Sequence, residues 1–189
     1  HMLHQFRERH TFDYERVRSG LELMAWGMFK KVAIADRLAI PVNQVYTNYQ
    51  LLAGPEFLLA AIFFAFQIYC DFSGYTDMAI GSAHMLGYKL AQNFNMPYLA
   101  VNVSDFWRRW HISLSTFLRD YLYIPLGGNR HGQVRRWTSL MITMLLGGLW
   151  HGANWTFIIW GALHGFYLVV QRLTGPTVTR WLNARSVPQ

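Results

Sequence analysis

One histidine lies in a part of the sequence that would not ordinarily hold a titratable group. His151 stands within LLGGLWHGANW (145–155), among glycines and tryptophans. No Asp, Glu, Lys or Arg occurs in the 34 residues from Thr138 to Gln171. A dehydrated imidazole is neutral near pH 7 and can accept a proton, as a general base must. His151 is therefore a candidate catalytic base, and a satisfied core histidine is the alternative interpretation.

A second histidine has an unusual polar neighbourhood. His111 follows Trp-Arg-Arg-Trp (107–110) and precedes two serine hydroxyls. The histidines at positions 84 and 164 are more typical of structural core residues. No two histidines from residue 84 onward are three or four residues apart, which argues against a metal site on a helix. The single cysteine, Cys70, excludes a disulfide within the chain and a cysteine-based zinc site. We expect no metal.

Two carboxylates interrupt an otherwise apolar segment. Phe57 to Cys70 is free of charge but only 14 residues long, so a spanning helix of about 20 residues must continue through Asp71 and Asp77. These aspartates are six residues apart and fall on different sides of a helix, so they do not form a catalytic pair. We interpret both as structural hydrogen-bond acceptors that face the interior of a bundle. Cys70, Ser73, Asp77 and Gly81 recur at steps of three and four residues, and they predict one small, polar face that packs closely.

Composition and charge favour a membrane protein. The chain is 52% hydrophobic and 14% charged, against about 25% charged in ordinary soluble domains. Its net charge of +7 is uneven, because all ten acidic residues lie at or before Asp120. Arginines interleaved with tryptophan and tyrosine indicate anchoring at a lipid surface and disfavour a nucleic-acid partner. We predict an all-α polytopic integral membrane protein with spanning, re-entrant and interfacial helices. A soluble helical protein is the alternative.

The N-terminal half predicts an interfacial helix before the apolar segment. His1-Met2 is typical of residues left by a cloning site. The segment LELMAWGMFKKVAIADRLAI (21–40) is amphipathic, and its adjacent lysines, Lys30 and Lys31, are expected to snorkel to the membrane surface. Pro41 is expected to close this helix.

The second half predicts an amphipathic helix and then a broken apolar stretch. Ser104 is the expected N-cap of a helix that starts at Asp105 and ends near Pro125. The uncharged run would be about 51 Å long as one helix, too long for one crossing. We therefore expect a helix over 139–146, an irregular turn that carries His151, and a spanning helix over 155–171. The glycines of the turn are at 147, 148 and 152. Residues 172–189 are expected to form a polar tail.

Three stretches together resemble the membrane-bound O-acyltransferase family. They are QIYCDFSGYTDMAIG (67–81), NFNMPYLAVNVSDFWRRWHISLSTFLRDYLYIPLGGNR (93–130) and LLGGLWHGANWTFIIWGALHG (145–165). ERVRSGLELMAWGMFKKVAIAD (15–36) is also similar. The likeness covers residues 13–171 and points to the bacterial branch that acts in alginate and peptidoglycan O-acetylation and in teichoic acid D-alanylation. Family members are much longer, so residues 3–189 would form part of the membrane domain.

The resemblance implies a multi-pass enzyme of the bacterial inner membrane. It would move an acyl group, acetyl in the favoured interpretation, from a cytoplasmic thioester to a hydroxyl of a cell-envelope or extracellular polysaccharide. The donor would be the substrate acetyl-CoA or an acyl-carrier thioester, with no bound cofactor. An extracytoplasmic acyltransferase is the expected partner, in contact with membrane lipid.

The resemblance also assigns roles to individual residues. The family's near-universal histidine falls on His151 and its second histidine falls on His111. Beside these, Asn154 is a candidate to stabilise the oxyanion. The arginines that are candidates to hold donor phosphates are Arg108, Arg109 and Arg130. Two alternatives stay open: a non-enzymatic channel or transporter component with Asp71 and Asp77 in its polar pathway, and a module that docks a partner.

Overall fold

The computed structural model describes residues 4–52, 54–130 and 132–185, with side chains described as far as Gly175. Within these ranges the regular structure is helical and contains no β-strand, so the predicted all-α class is confirmed. The chain divides into two compact units, residues 1–93 and 94–189. His1 and Met2, assigned to a cloning site, lie outside the described ranges.

The first unit consists of three long helices and a π-helical segment. Helix α1 (Tyr14–Phe29) continues through the π-helical turn Lys30–Ala35 into α2 (Asp36–Thr47). Helix α3 (Gly54–Met85) follows. The prediction that Pro41 ends its helix is wrong, because Pro41 lies inside α2. A proline removes one backbone donor from a helix, and the packing of α2 against α3 compensates for that loss.

Helix α3 is the one helix among the described residues that is long and apolar enough to cross a membrane. Its 32 residues correspond to about 48 Å, more than a hydrocarbon core requires. The polytopic arrangement therefore stays a prediction. The small face that the sequence predicted is confirmed, because Cys70, Ser73 and Gly81 are buried.

Glycines let α1 and α3 pack with their backbones in contact. A Cβ atom on Gly74 would lie 2.6 Å from the carbonyl oxygen of Gly27, and one on Gly81 would lie 2.5 Å from that of Gly20. Gly20 and Gly27 are seven residues apart on α1, as Gly74 and Gly81 are on α3. Because Gly27 contacts Gly74 and Gly20 contacts Gly81, the two helices run antiparallel. The absence of side chains at these crossing points sets the interhelical distance.

The two lysines of the π-helical turn neutralise both aspartates of α3. Lys30 Nζ lies 2.5 Å from an Asp77 carboxylate oxygen and donates to Ser73 Oγ at 3.1 Å. Lys31 Nζ lies 2.6 Å from an Asp71 oxygen and 2.7 Å from an Asp36 oxygen. The side chain of Lys30 is only 12% exposed, so the expectation that it snorkels to the membrane surface is wrong.

The second unit places short helices beside a long helical hairpin. Helix α4 (Val103–Arg109) and α5 (Ile112–Leu118) continue into a π-helical turn (Arg119–Tyr123). Helices α6 (Gly132–His151) and α7 (Trp155–Arg185) form the hairpin.

Two predicted boundaries in the second unit are wrong. The N-cap of α4 is Asn102, whose Oδ1 accepts from the Asp105 backbone N–H at 2.8 Å. Ser104 instead donates its backbone N–H and its hydroxyl to Gln171 Oε1. The expected spanning helix also continues beyond residue 171, so the predicted polar tail is helical as far as Arg185. Residues 186–189 of that tail lie outside the described ranges.

Replacing Lys30 with methionine is expected to destabilise the protein by about 3 kcal/mol, because the largely buried Asp77 carboxylate would lose its cationic partner. The double variant Lys30→Met/Asp77→Leu should recover most of this loss. Thermal unfolding of the detergent-purified protein measures both. A double variant that is no more stable than the single one would contradict the assignment of the cost to an unpaired carboxylate.

Gly74→Ala is expected to lower stability by about 1–3 kcal/mol, because the new methyl group would overlap a backbone oxygen that cannot move alone. Gly54→Ala on the same helix is the matched control, since no heavy atom lies within 4 Å of its added Cβ. Thermal unfolding should separate the two variants. Equal stability of both would show that the α1–α3 contact adjusts easily.

Candidate active site

An elongated cavity of about 310 Å³ lies inside the second unit. Its walls come from α4, α5, the following π-helical turn and the α6–α7 hairpin. The wall is mainly apolar and includes a few polar side chains. The lining residues used below are His151, Trp107, Trp160, Arg119, Tyr123, Asn129 and Arg172.

His151 lines this cavity as the last residue of α6. The expectation that it lies in an irregular turn is wrong, although its position beside a cavity agrees with the sequence prediction. Three aromatic rings surround the imidazole: Trp150 at 5.1 Å, Phe157 at 5.9 Å and Trp160 at 5.2 Å between ring centroids. The imidazole of His151 is thus packed among aromatic rings and also lines the cavity.

The glycines before His151 serve helix packing and do not break the helix. A Cβ on Gly148 would collide with the Phe157 carbonyl oxygen, and one on Gly161 would collide with the Met144 carbonyl oxygen. The predicted break at Gly147–Gly148 is therefore wrong. The chain reverses after His151, in the segment 152–154, which the sequence also indicated as a break.

Asn154 holds the start of α7. Its side-chain oxygen accepts from the Thr156 backbone N–H at 3.1 Å and from the Thr156 hydroxyl at 3.2 Å. Asn154 is not among the residues that line the cavity. The structure therefore gives it a capping role, and the predicted oxyanion role would have to use the side-chain amide nitrogen.

His111 breaks the amphipathic helix that the sequence predicted. Its backbone adopts the left-handed conformation at φ 43°, and it separates α4 from α5. Its ring contacts Trp150 at 5.9 Å between centroids, so Trp150 lies beside both candidate histidines. Burial lowers the pKa of His111, and the nearby His151 lowers it further. His111 is not among the lining residues of the cavity.

The Trp-Arg-Arg-Trp segment separates its aromatic and basic residues. Trp107 forms cavity wall and packs edge-to-face on Trp160 with ring centroids 5.7 Å apart. Arg109 lies 2.9 Å from Asp105, and Arg108 lies 3.5 Å from it. Desolvation raises the pKa of Asp105, but the hydrogen bonds from Arg109 and from a backbone N–H outweigh that effect, and the pKa is lowered.

The arginines that reach the cavity are not the ones the sequence singled out. Arg108, Arg109 and Arg130 are absent from its lining, whereas Arg119 and Arg172 are present. A signal for Arg172 does exist in the sequence, because it is the first charged residue after the long uncharged run. Arg119 carried no comparable signal in the sequence.

The polar end of the cavity is built around one amide. Asn129 Oδ1 accepts from the Tyr123 hydroxyl at 2.8 Å and from Arg172 Nη1 at 3.3 Å. Arg119 forms two bonds to its neighbour Asp120, at 2.7 and 3.2 Å. The cavity thus has an imidazole at one end and guanidinium groups at the other. This arrangement suits a long substrate that carries an anionic group far from its reacting atom.

Comparisons with known proteins identify the family of the chain. Residues 2–184 match the model of the membrane-bound O-acyltransferase family. The probable alginate O-acetylase of Pseudomonas putida is 49% identical over 175 residues, which cover 92% of this chain and 36% of that protein. The peptidoglycan O-acetyltransferase of Helicobacter pylori is 44% identical, over 96% of this chain and 37% of its own length.

A relative of lower identity is named for the transfer of a different acyl group. The teichoic acid D-alanyltransferase of Streptococcus thermophilus is 35% identical over 57% of this chain and 28% of its own length. The chain spans about a third of the length of the curated relatives that it matches most fully.

Asn154→Ala is expected to lower stability by about 1 kcal/mol, because the first turn of α7 would lose its side-chain acceptor. Asn154→Asp should keep near-native stability, since a carboxylate oxygen caps a helix as well as an amide oxygen does. Thermal unfolding compares the two. If Asn154→Asp were destabilised as much as Asn154→Ala, the cap would not explain the residue.

Proposed function

We propose, because this chain belongs to the membrane-bound O-acyltransferase family, that it carries the histidine site of a membrane enzyme that transfers an acyl group from a thioester to a hydroxyl. The observation that carries this proposal is the position of His151 on the wall of an elongated cavity. Such a cavity can position a thioester beside the base.

In the proposed reaction His151 acts as general base. The imidazole removes the proton of the acceptor hydroxyl while that oxygen attacks the thioester carbonyl carbon. The tetrahedral intermediate then collapses, the carbon–sulfur bond breaks, and the leaving sulfur takes the proton from the imidazolium. The products are an ester and a free thiol, and the histidine returns to its neutral form. Proton transfer of this kind contributes about 10²–10⁴-fold to a rate.

His111 is proposed to assist from the neighbouring position. Its ring packs against Trp150, the residue beside His151, and its lowered pKa favours the neutral imidazole. A neutral ring can donate one hydrogen bond to the thioester and can orient it. Stabilisation of the oxyanion would come from the Asn154 amide nitrogen or from a backbone N–H of the turn at 152–154.

The acceptor is proposed to be a hydroxyl of a cell-envelope or extracellular polysaccharide, and the acyl group acetyl. The relatives support this class, because two are named for O-acetylation of alginate or peptidoglycan. Because one relative is named a D-alanyltransferase, an aminoacyl group is the second possibility. We further propose a cytoplasmic thioester donor, a multi-pass topology in the bacterial inner membrane and an extracytoplasmic partner that completes the transfer.

The ion pairs in the first unit disfavour a channel or transporter component. Such a pathway would use Asp71 and Asp77 as hydrated polar groups. Both carboxylates instead lie within 2.6 Å of a lysine nitrogen. Charges that are neutralised in this way hold helices together and do not provide open sites for a permeating ion.

His151→Ala is expected to reduce acyl transfer by at least about 10²-fold, because the hydroxyl would lose its proton acceptor. Expression and membrane insertion should be unchanged, since the imidazole makes no described hydrogen bond that holds α6 in place. The measurement is ester formation on the polysaccharide, together with thiol release from the thioester. His84→Ala, the same chemical change at a histidine bonded to Ser19 in the first unit, is the control. Transfer retained by His151→Ala would refute the general-base role.

A further inference from the structure

We propose that Ser115 is a positioning residue for His111, because its hydroxyl holds the left-handed backbone turn that places the His111 ring against Trp150. This inference rests on the proposed function, in which His111 orients the thioester beside His151, and it adds the group that keeps His111 in place. Ser115 lines the cavity, but in this proposal it acts through the histidine and takes no part in the reaction itself.

The backbone of His111 has a conformation that needs support. Its φ of 43° and ψ of 57° lie in the left-handed region, which is unfavourable for a residue that carries a Cβ atom. The turn lies between the end of α4 at Arg109 and the start of α5 at Ile112. Strained backbone of this kind persists only where the surrounding structure holds it, and it clusters at functional sites. The contacts on each side of the turn therefore decide where His111 lies.

Ser115 bonds to both residues that form the turn. Its hydroxyl donates to the Trp110 carbonyl oxygen at 3.1 Å, and its backbone N–H donates to the His111 carbonyl oxygen at 2.9 Å. Trp110 has an extended backbone and lies outside both helices, so its carbonyl oxygen depends on a partner such as this hydroxyl. A partly buried carbonyl oxygen that loses its partner is destabilising. The Ser115 hydroxyl therefore stabilises the turn on its α5 side.

The α4 side of the turn is fixed by a separate pair of bonds. The Asn95 backbone N–H donates to the Arg109 carbonyl oxygen at 3.0 Å. The Arg109 guanidinium in turn donates to the Asn95 carbonyl oxygen at 3.4 Å. Because the last residue of α4 is held in this way, the bonds of Ser115 determine how α5 leaves the turn and where the His111 ring lies.

The position of the His111 ring matters because of the ring that it contacts. Its centroid lies 5.9 Å from that of Trp150, and the centroid of Trp150 lies 5.1 Å from that of His151. A displacement of about 1 Å in an active site can cost about 10²-fold in rate. Loss of the Ser115 hydroxyl is therefore expected to slow transfer although no reacting group is removed.

Ser115→Ala is expected to lower kcat for acyl transfer about tenfold, the scale of one lost hydrogen bond, with little change in KM. Ser115→Thr keeps a hydroxyl and should restore most of the rate. Ser82→Ala is the matched control, because its hydroxyl also donates to a backbone carbonyl, that of Met78 in the first unit. This control should transfer at the wild-type rate. Thiol release from acetyl-CoA by the detergent-purified protein measures every variant.

A double variant shows whether Ser115 acts through His111. His111→Ala should lower kcat, and Ser115→Ala in that background should lower it no further, because the ring that the hydroxyl positions is gone. An effect of Ser115→Ala that is equally large in both backgrounds would indicate direct contact with the substrate or general support of the fold, and it would overturn the proposal. A wild-type rate for Ser115→Ala would overturn it as well.

Chemical labelling tests the geometry without turnover. Diethyl pyrocarbonate modifies accessible neutral imidazoles, and mass spectrometry of the digested protein reports each histidine separately. His111 should react faster in Ser115→Ala than in wild type, whereas His84 of the first unit should react at the same rate in both. Equal rates at His111, or faster rates at both histidines, would refute the positioning role. Faster labelling of His111 alone, in a protein whose wild type shows no transfer, would refute the proposed function and leave the positioning role standing.

Discussion

Backbone contact between α6 and α7 determines where the candidate base lies. Glycines at the crossing points bring each helix against carbonyl oxygens of the other, so the hairpin has little freedom to slide. Its turn follows His151 directly, and Asn154 fixes the first turn of the returning helix. The imidazole is thereby held at the end of the hairpin between Trp150 and Trp160. The hairpin therefore fixes the position of the candidate base on the cavity wall.

The distribution of charge explains why Arg172 lines the cavity without a carboxylate partner among the described residues, whereas Arg119 has one. Acidic residues are scarce after the first unit, and each is occupied by arginines close to it in sequence. Arg108, Arg109 and Arg119 therefore have local partners. Arg172 emerges from a long uncharged helix, where no carboxylate lies within reach along the chain. Its partner is a neutral amide, which orients the guanidinium without neutralising it.

In the first unit, two lysine–aspartate pairs have a structural role. Its π-helical turn presents Lys30 and Lys31 to the two aspartates of α3, and a glycine contact at Gly74 brings the helices close enough for these bonds. Lys30 and Asp77 are largely buried, and removing such charges from water is costly unless they pair with good geometry. The Lys31–Asp71 pair is about half-exposed. The pairs account for carboxylates within α3, the one helix in the described part of the chain that is long and apolar enough to cross a membrane.

The sequence by itself determined the helical class, the family and both candidate histidines. It also indicated the reversal at residues 152–154, because glycine and asparagine punctuate helices through their own backbone preferences. These signals are local or depend on motifs that stay contiguous in the chain. The apolar character of the segments was readable for the same reason.

Only the tertiary structure decided which groups each helix face contacts. The glycines at 147 and 148 were read as a break, yet both lie within α6. Gly148 packs against the backbone of α7 and Gly147 faces the Leu118 side chain, and this packing overrides the weak helix propensity of glycine. Pro41 and the break at His111 also depend on neighbouring helices. The cavity arginine could not be chosen from spacing, since Arg172 finds its partner 43 residues away. Periodicity shows which side of a helix is buried, but the group that it contacts depends on how distant segments fold together.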